Sequence, residues 1–337
     1  MVDKAVKNWK LGTGINKKID MNKIVVLIFC SIIFCTSCDK EDLKFVGIES
    51  ISLENYPRVD GSTSSSVLNV IVACKMLGIS YNWYDPLLLG EWWLQPNFDD
   101  ISEEDRLIFL ERVKTSQTHG AFLNLIDGVA DIILTHRTIS SDEKEHAETK
   151  GVTLIETPIA MDAFVFIVNK ANKVKSLTVE QVQQIYTGEL TNWAQVGGNN
   201  ADINIFTRPR NSGSEEIFRT LVMNGLEPAD FPEVPIVQAM LGVFREVTDD
   251  ANAICYTFNN YKEMQARVPD SEVPKIAINN IFPDKNTIKN NTYPFISEVH
   301  VAIRSDLDRS SMAYKLYEWL QSENAKSTIA ECGFIPK

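Results

Sequence analysis

Apolar positions in this chain recur in two rhythms. Val67, Leu68, Val70, Ile71, Cys74 and Leu77 follow helical spacing and stop at Gly78, a residue that readily closes a helix. Residues 102–113 open on Ser-Glu-Glu-Asp, the acidic start that a helix N-terminus favours, and predict a second helix. A third starts at Thr118-His119-Gly120, carries Phe122, Leu123, Leu125 and Ile126, and ends at Asp127-Gly128. Thr178 caps a helix over 179–186 that closes at Gly188, and residues 311–331 predict a final amphipathic helix before Gly333. Between these lie β-like stretches: 45–60, 131–135, 158–169, Ile203 to Phe206, 253–258, 275–279 and 296–303. Strands alternating with helices predict a parallel α/β architecture. The chain shows no internal repeat and no long low-complexity run.

Two strand-to-helix turns are rich in hydroxyls. Arg208 ends an apolar run, Ser212-Gly213-Ser214 follows, and Ile217, Leu221 and Val222 then recur at helical spacing. The first turn of a helix carries unpaired N–H groups and partial positive charge, which suits an anion. Gly213 lets an anion approach the backbone, the serines can donate, and Arg208 offers a charged fork. The plainer alternative is an ordinary N-cap at Ser212 and a surface charge at Arg208. The second turn, Gly61-Ser62-Thr63-Ser64, leads into the helix at Val67. His136 and Arg137 follow the buried strand Asp131–Thr135 at its C-terminal end, where ligands of open α/β sheets sit. Loop polarity for His119 and His136, and a surface ion pair for Arg137, are the corresponding plain readings.

Of the 337 residues, 44% are hydrophobic and 23% charged, a globular composition long enough for two lobes. The first twenty residues lack periodicity. From Met21 a better pattern opens: Lys23, an apolar run Ile24–Phe34, then Cys35-Thr36-Ser37-Cys38. This predicts a secretory signal too short to span a bilayer comfortably, with Met21 as the expected start. The small residues before Cys38 resemble a bacterial lipobox, with Cys35 where leucine is usual. That implies a lipidated Cys38 as first mature residue and membrane anchor; simple cleavage and free secretion is the alternative. The following Asp39-Lys40-Glu41-Asp42 looks like the export signal of Bacteroidetes-type surface lipoproteins.

Residues 1–37 hold six Lys and two Asp, net +4, so the chain's −12 becomes −16 for the mature protein. That balance argues against nucleic acid as a partner. It leaves room for an anion, because local N–H groups and one arginine set the potential of a site. Cys74, Cys255 and Cys332 are far apart, without metal spacing or an even partner count, and read as small buried apolar residues. His119, His136, His146 and His300 show no metal-ligand spacing either, and no cofactor motif is present. Residues 79–100 concentrate Trp83, Tyr84, Trp92, Trp93 and Phe98. They suit a local hydrophobic patch more than a ligand wall.

The segment LTVEQVQQIYTGELTNWAQVGG (177–198) resembles the signature of periplasmic phosphate-binding proteins, and RPRNSGS (208–214) resembles their anion loop. YPRVDGSTS (56–64), LIDGVADIIL (125–134), YPFISEVHVAI (293–303) and AECGFIP (330–336) follow in family order. The similarity covers about residues 54–337. It implies a two-lobed type II periplasmic-binding-protein fold with two hinge crossings, near Ala160–Ala163 and Tyr293–Phe295. Lobe 1 is then discontinuous, 45–161 and 294–337, and lobe 2 spans 162–293, after an N-terminal extension and signal over 1–38. An anion in the cleft would drive hinge closure. Carried over by position, Ser62, Thr63, Thr118, Arg208, Ser212, Gly213 and Ser214 are the implied anion ligands.

Two departures qualify this. The family's Gly-Ser-Gly loop reads Gln117-Thr118-His119-Gly120. Its Gly-Ala-Ser-Asp, whose aspartate accepts the proton of hydrogen phosphate, reads Ile133-Leu134-Thr135-His136. A site built for a substrate hydroxyl can reject an analogue lacking it by about 10⁴-fold, so the loss of the acceptor bears on selectivity. Asp60, beside the anion loop, is the candidate substitute, with His119, Thr135 and Arg137 as further site residues. A branch of phosphate-binding-like lipoproteins shares both the Thr-His-Gly and the Arg-Pro-x-Asn-Ser-Gly-Ser variants.

The resemblance thus implies a non-enzymatic, monomeric lipoprotein of the periplasm or cell surface that hands phosphate to an ABC permease. Another oxyanion or a small organophosphate is the alternative ligand, and a sensor or adhesin the alternative role. Ser141-Asp-Glu-Lys144 matches Ser-x-x-Lys, but no Gly-x-Ser-x-Gly accompanies it.

Overall fold

The computed structural model describes residues 45–84, 92–229 and 235–337. The signal, with Met21 and Cys38, lies outside the described residues, as do 85–91 of the aromatic stretch. In chain order the strands are β1 (Val59–Gly61), β2 (Tyr81–Tyr84), β3 (Trp93–Pro96), β4 (Ile132–Thr135), β5 (Leu154–Val168) and β6 (Ser176–Leu177). They continue with β7 (Asn204–Ile205), β8 (Ala253–Phe258), β9 (Ala277–Ile278), β10 (Ile296–Arg304) and β11 (Ile335–Pro336).

The main sheet runs β1-β4-β10-β5-β8-β7, with β11 also on β5. β5 serves both ends of it. Residues 154–163 pair antiparallel with β10, and Phe164–Val168 pair antiparallel with β8. Where the partner changes, the Phe164 N–H donates to the Phe295 carbonyl at 2.9 Å. A hydrophobic core lies on each side of that point. One gathers Phe164, Phe166, Tyr186, Trp193, Phe218 and Tyr256; the other gathers Tyr56, Leu68, Ile71, Val299, Leu316 and Phe334. The run Ala163–Val168 is buried on both faces, which is why it reads as a continuous apolar stretch rather than an alternating one.

The sheet is mixed, not parallel as the alternation of elements predicts. β1–β4 and β7–β8 are parallel, but β10 is antiparallel to both β4 and β5. β5 and β10 run between the two cores instead of belonging to βαβ units, so no crossover helix fixes their direction. Pro158 lies within β5 opposite His300, and the register shifts between Val299 and His300. A residue without an N–H is tolerated at such a bulge.

The helices over Ser66–Leu77, Glu103–Arg112, Gln117–Ile126 and Val179–Tyr186 match the sequence reading. Gly78 closes the first at φ 69°, and Thr178 with Gln181 forms a capping box on the last. The long C-terminal helix is instead two, Met312–Leu320 and Glu323–Glu331. Ser322, extended at φ −86° and ψ 163°, starts the second afresh, as serine before an acidic first turn favours. Most of 45–60 is irregular, and only Val59–Asp60 of it joins a strand. Phe45 packs on Trp319, whose indole N–H donates to the Val46 carbonyl; side-chain anchoring replaces a strand ladder there. Among the described residues Cys74, Cys255 and Cys332 are buried and unpaired, and no helix there is long and apolar enough to cross a membrane.

Candidate anion-binding cleft

Beyond the end of β1 the chain turns through Thr63–Ser65 into the Ser66–Leu77 helix. Ser62 caps this turn, its hydroxyl accepting from the Ser65 N–H. Ser62 is buried and lies behind the cleft, whereas Thr63, Ser64 and Ser66 line it. Asp60 is also buried and turned away. Its carboxylate accepts from the N–H groups of Gly61 and Ser116 and from the Asn124 amide, at 2.7–2.8 Å. It therefore fastens β1 to the Gln117–Ile126 helix and does not stand in as an acceptor in the cleft.

From the other core come Arg208 and the Ser212-Gly213-Ser214 turn, all in the lining of the same cleft. Ser212 caps the helix that starts at Gly213 and continues into a π-helical turn over Phe218–Met223. Arg208 is only 8% exposed. Its guanidinium donates to the Val237 carbonyl and, at 3.4 Å, to the Ser214 hydroxyl; its own N–H donates to the Tyr256 hydroxyl at 3.1 Å. Tyr256 in turn donates to Glu215, which Arg219 pairs at 2.8 Å. The loop is thus braced from behind, while Arg208 has no carboxylate at ion-pair distance among the described residues. Burial lowers its pKa, yet a guanidinium stays charged.

The two sides nearly touch. A Cβ built on Gly213 would stand 2.4 Å from Thr118 Oγ1, so only glycine fits there in this arrangement. Elsewhere across the cleft Gln265 donates to the Ser64 carbonyl at 3.0 Å and accepts from the Ser66 hydroxyl at 3.2 Å. Asn211 donates to Asp142 at 2.8 Å. The cleft encloses about 570 Å³, drug-sized rather than ion-sized. Its far wall is apolar, with Val67, Val70, Trp83, Trp92, Leu94 and Leu241. The Arg267 guanidinium lies 4.2 Å from the Trp83 ring centre and 4.7 Å from that of Trp92.

Of the further candidates, Arg137 is buried and clasps Glu143 with two bonds of 2.6 and 2.7 Å. His119 bonds the same carboxylate at 2.9 Å. Thr135 donates to the Arg137 carbonyl at 2.8 Å. None of these three is among the cleft-lining residues; they stiffen the strand end behind it. His119, Asp142 and Glu143 place possible ligand atoms within 4.8 Å of one another, but both Glu143 oxygens already hold Arg137. Sequence reading missed Ser66, Gln238, Tyr261 and Gln265 in the lining. The last two sit on or beside a π-helical turn over Tyr261–Gln265, which has no periodic signature.

The family model for the PBP superfamily domain matches residues 111–324. Among curated proteins, the phosphate-binding protein PstS of Bacillus subtilis is 25% identical over 199 residues, 59% of this chain and 62% of its own length. That of Borreliella burgdorferi is 26% identical over 216 residues, 63% of this chain and 74% of its own. The chain thus spans less than two thirds of the B. subtilis relative. Among solved structures, an ABC-type phosphate transport receptor from Vibrio cholerae aligns with TM-score 0.58 and 25% identity, covering 82% of this chain and 98% of its own. A substrate-binding protein with bound phosphate from Clostridium perfringens shares the fold at TM-score 0.61 and 23% identity, over 85% and 99%. With its mixed sheet, two cores and shared strand β5, the chain belongs to the PBP superfamily, has the two-lobed fold and is PstS-like.

Proposed function

We propose that this protein is an extracytoplasmic solute-binding protein that captures inorganic phosphate in the cleft for an ABC importer and performs no chemistry on it. The observation that carries the reading is Arg208: a buried cation in the cleft lining with no carboxylate at ion-pair distance among the described residues. A buried charge is costly until an opposite charge pairs with it, and a tetrahedral anion supplies that charge. Thr63, Thr118, Ser212 and Ser214 offer hydroxyl donors around it, and the Gly213 turn offers backbone N–H groups. Lobe 1 (45–161 and 294–337) and lobe 2 (162–293) would close on the anion about the segments near Ala160–Ala163 and Tyr293–Phe295. The names of the PstS relatives support the same ligand and role. A lipid anchor at Cys38, a permease partner, a monomeric state and a periplasmic or surface location complete the proposal.

Calorimetric titration of the purified, anion-stripped protein with phosphate tests it. Arg208→Ala should lose at least about two orders of magnitude in affinity, since it removes charge-assisted bonds in a buried site. Binding unchanged in that variant would refute the site, and no heat in the native protein would refute the ligand.

The apolar wall favours a second ligand class, a phosphate monoester with an apolar substituent, because the cleft is larger than phosphate needs. Phenyl phosphate outcompeting inorganic phosphate would select that reading.

A further inference from the structure

The hydroxyl cluster at the Thr63–Ser65 turn has few protons, and the partners fix where each one points. Ser65 Oγ donates to the Leu134 carbonyl at 2.7 Å. Toward Ser62, 2.8 Å away, it therefore accepts, and the single Ser62 proton is committed to that bond. Behind Ser64 lies His136, its Nδ1 2.8 Å from the Ser64 hydroxyl and its Nε2 3.3 Å from Asp162 Oδ2. Asp162 Oδ1 accepts from the N–H groups of Ala163 and Asn260, at 2.8 and 3.1 Å. The carboxylate has no proton to give, so in the neutral imidazole the ring proton sits on Nε2 and Nδ1 is the acceptor. Ser64 then donates to Nδ1. Ser62, at 3.1 Å, has no proton left to give it. The lone pairs of Ser64 are what this buried hydroxyl keeps for the cleft that it lines.

Resting on the anion-binding reading, we propose that Ser64 is the specificity-determining acceptor of the cleft. His136 and Asp162 are the positioning residues that hold it in that sense. A protonated oxyanion, hydrogen phosphate or hydrogen arsenate, donates its hydroxyl to Ser64. Sulfate has no proton to donate. It must face the Ser64 lone pairs, or force the hydroxyl round and leave His136 Nδ1 buried without a donor, which carries the penalty of an unsatisfied polar group. The acceptor is a neutral hydroxyl and not a carboxylate, so sulfate is opposed by a dipole rather than a charge. Discrimination is then roughly one to two orders of magnitude, below the roughly 10⁴-fold of sites that reject a missing hydroxyl most strongly.

The test is calorimetry at neutral pH with phosphate, arsenate and sulfate on the native protein, Ser64→Ala and Asp162→Asn. Native protein should take phosphate and arsenate alike and sulfate more weakly by that margin. Ser64→Ala should narrow the phosphate-to-sulfate ratio toward unity. Asp162→Asn is the sharper arm. Its amide oxygen stays with the Ala163 and Asn260 N–H groups, so its NH₂ faces His136 Nε2. The ring proton moves to Nδ1, Ser64 reverses to donate into the cleft, and the ratio shifts in favour of sulfate; tautomer reversal by an Asp-to-Asn change follows the same logic in the serine protease triad. A native protein that binds phosphate but equally sulfate, rejects arsenate as it does sulfate, or keeps its ratio in either variant overturns this proposal alone. Binding of none of the three anions overturns the anion reading, and this proposal with it.

Discussion

On β10, His300 stands opposite Thr135 with its Nδ1 unpartnered among the described residues and its Nε2 3.4 Å from Glu298. Burial lowers its pKa below 6.5, against the pull of Glu298. The sign of the consequence is fixed by linkage. The unfolded chain takes up the proton at its ordinary pKa while the folded chain resists, so stability falls as pH drops through 6.5 and levels off only below the folded-state pKa. His300→Gln removes that titration. Thermal unfolding followed from roughly pH 7 to 5 should show a shallower loss of Tm in the variant than in the native protein. Equal slopes would assign the acid sensitivity to another group. A smaller residue-scale lesson concerns Asp60. Sequence places it beside the anion loop, but three donors on three segments claim its oxygens, and no spacing rule reveals which way a carboxylate turns.

At the scale of elements, the legible parts are those with a strong local cause. The buried run of β5, the Thr178 capping box, the Gly78 helix stop and the hydroxyl turns at 61–64 and 212–214 are written in adjacent residues. What escapes is set by partners distant in sequence. The antiparallel direction of β10 is set by its pairing with β4 and with Leu154–Ala163 of β5, both distant in sequence. Gln265 enters the cleft by bonding Ser64 and Ser66, some two hundred residues away. The split at Gln321–Ser322 turns on one extended residue that helical periodicity alone overlooks. The meeting of two helix starts, Gly213 against Thr118, gives a prediction at this scale. Gly213→Ala should clash only where the elements approach. Phosphate affinity should fall about tenfold or more, as overpacking costs of about 1–3 kcal/mol imply, while Tm without ligand barely changes. A large drop in ligand-free Tm would mean that the contact belongs to the fold itself.

For the whole molecule, the two lobes share β5 and also meet across the cleft. Arg267, beside the core that holds Tyr261, lies against Trp83 of β2, which packs on the other core, and against Trp92 next to β3. A cation over an aromatic face at a partly exposed site is worth about 0.5–1 kcal/mol. For the proposed hinge closure, that would bias the open-to-closed equilibrium without locking it. Arg267→Ala should therefore speed ligand release about two- to fivefold, seen by stopped flow, with the unfolding midpoint in urea unchanged. An unaltered release rate would show that the stack plays no part in closure.

The same stack has an optical consequence. Trp83 and Trp92 are two of only six tryptophans in the chain, and under the proposed closure both would exchange a guanidinium neighbour for water when the lobes part. Trp193, in contrast, is sealed inside its core and reports on neither state. Ligand arrival should then be readable as a change in ultraviolet emission, without a label, and substituting Trp83, Trp92 and the third cleft tryptophan, Trp93, by phenylalanine should silence it.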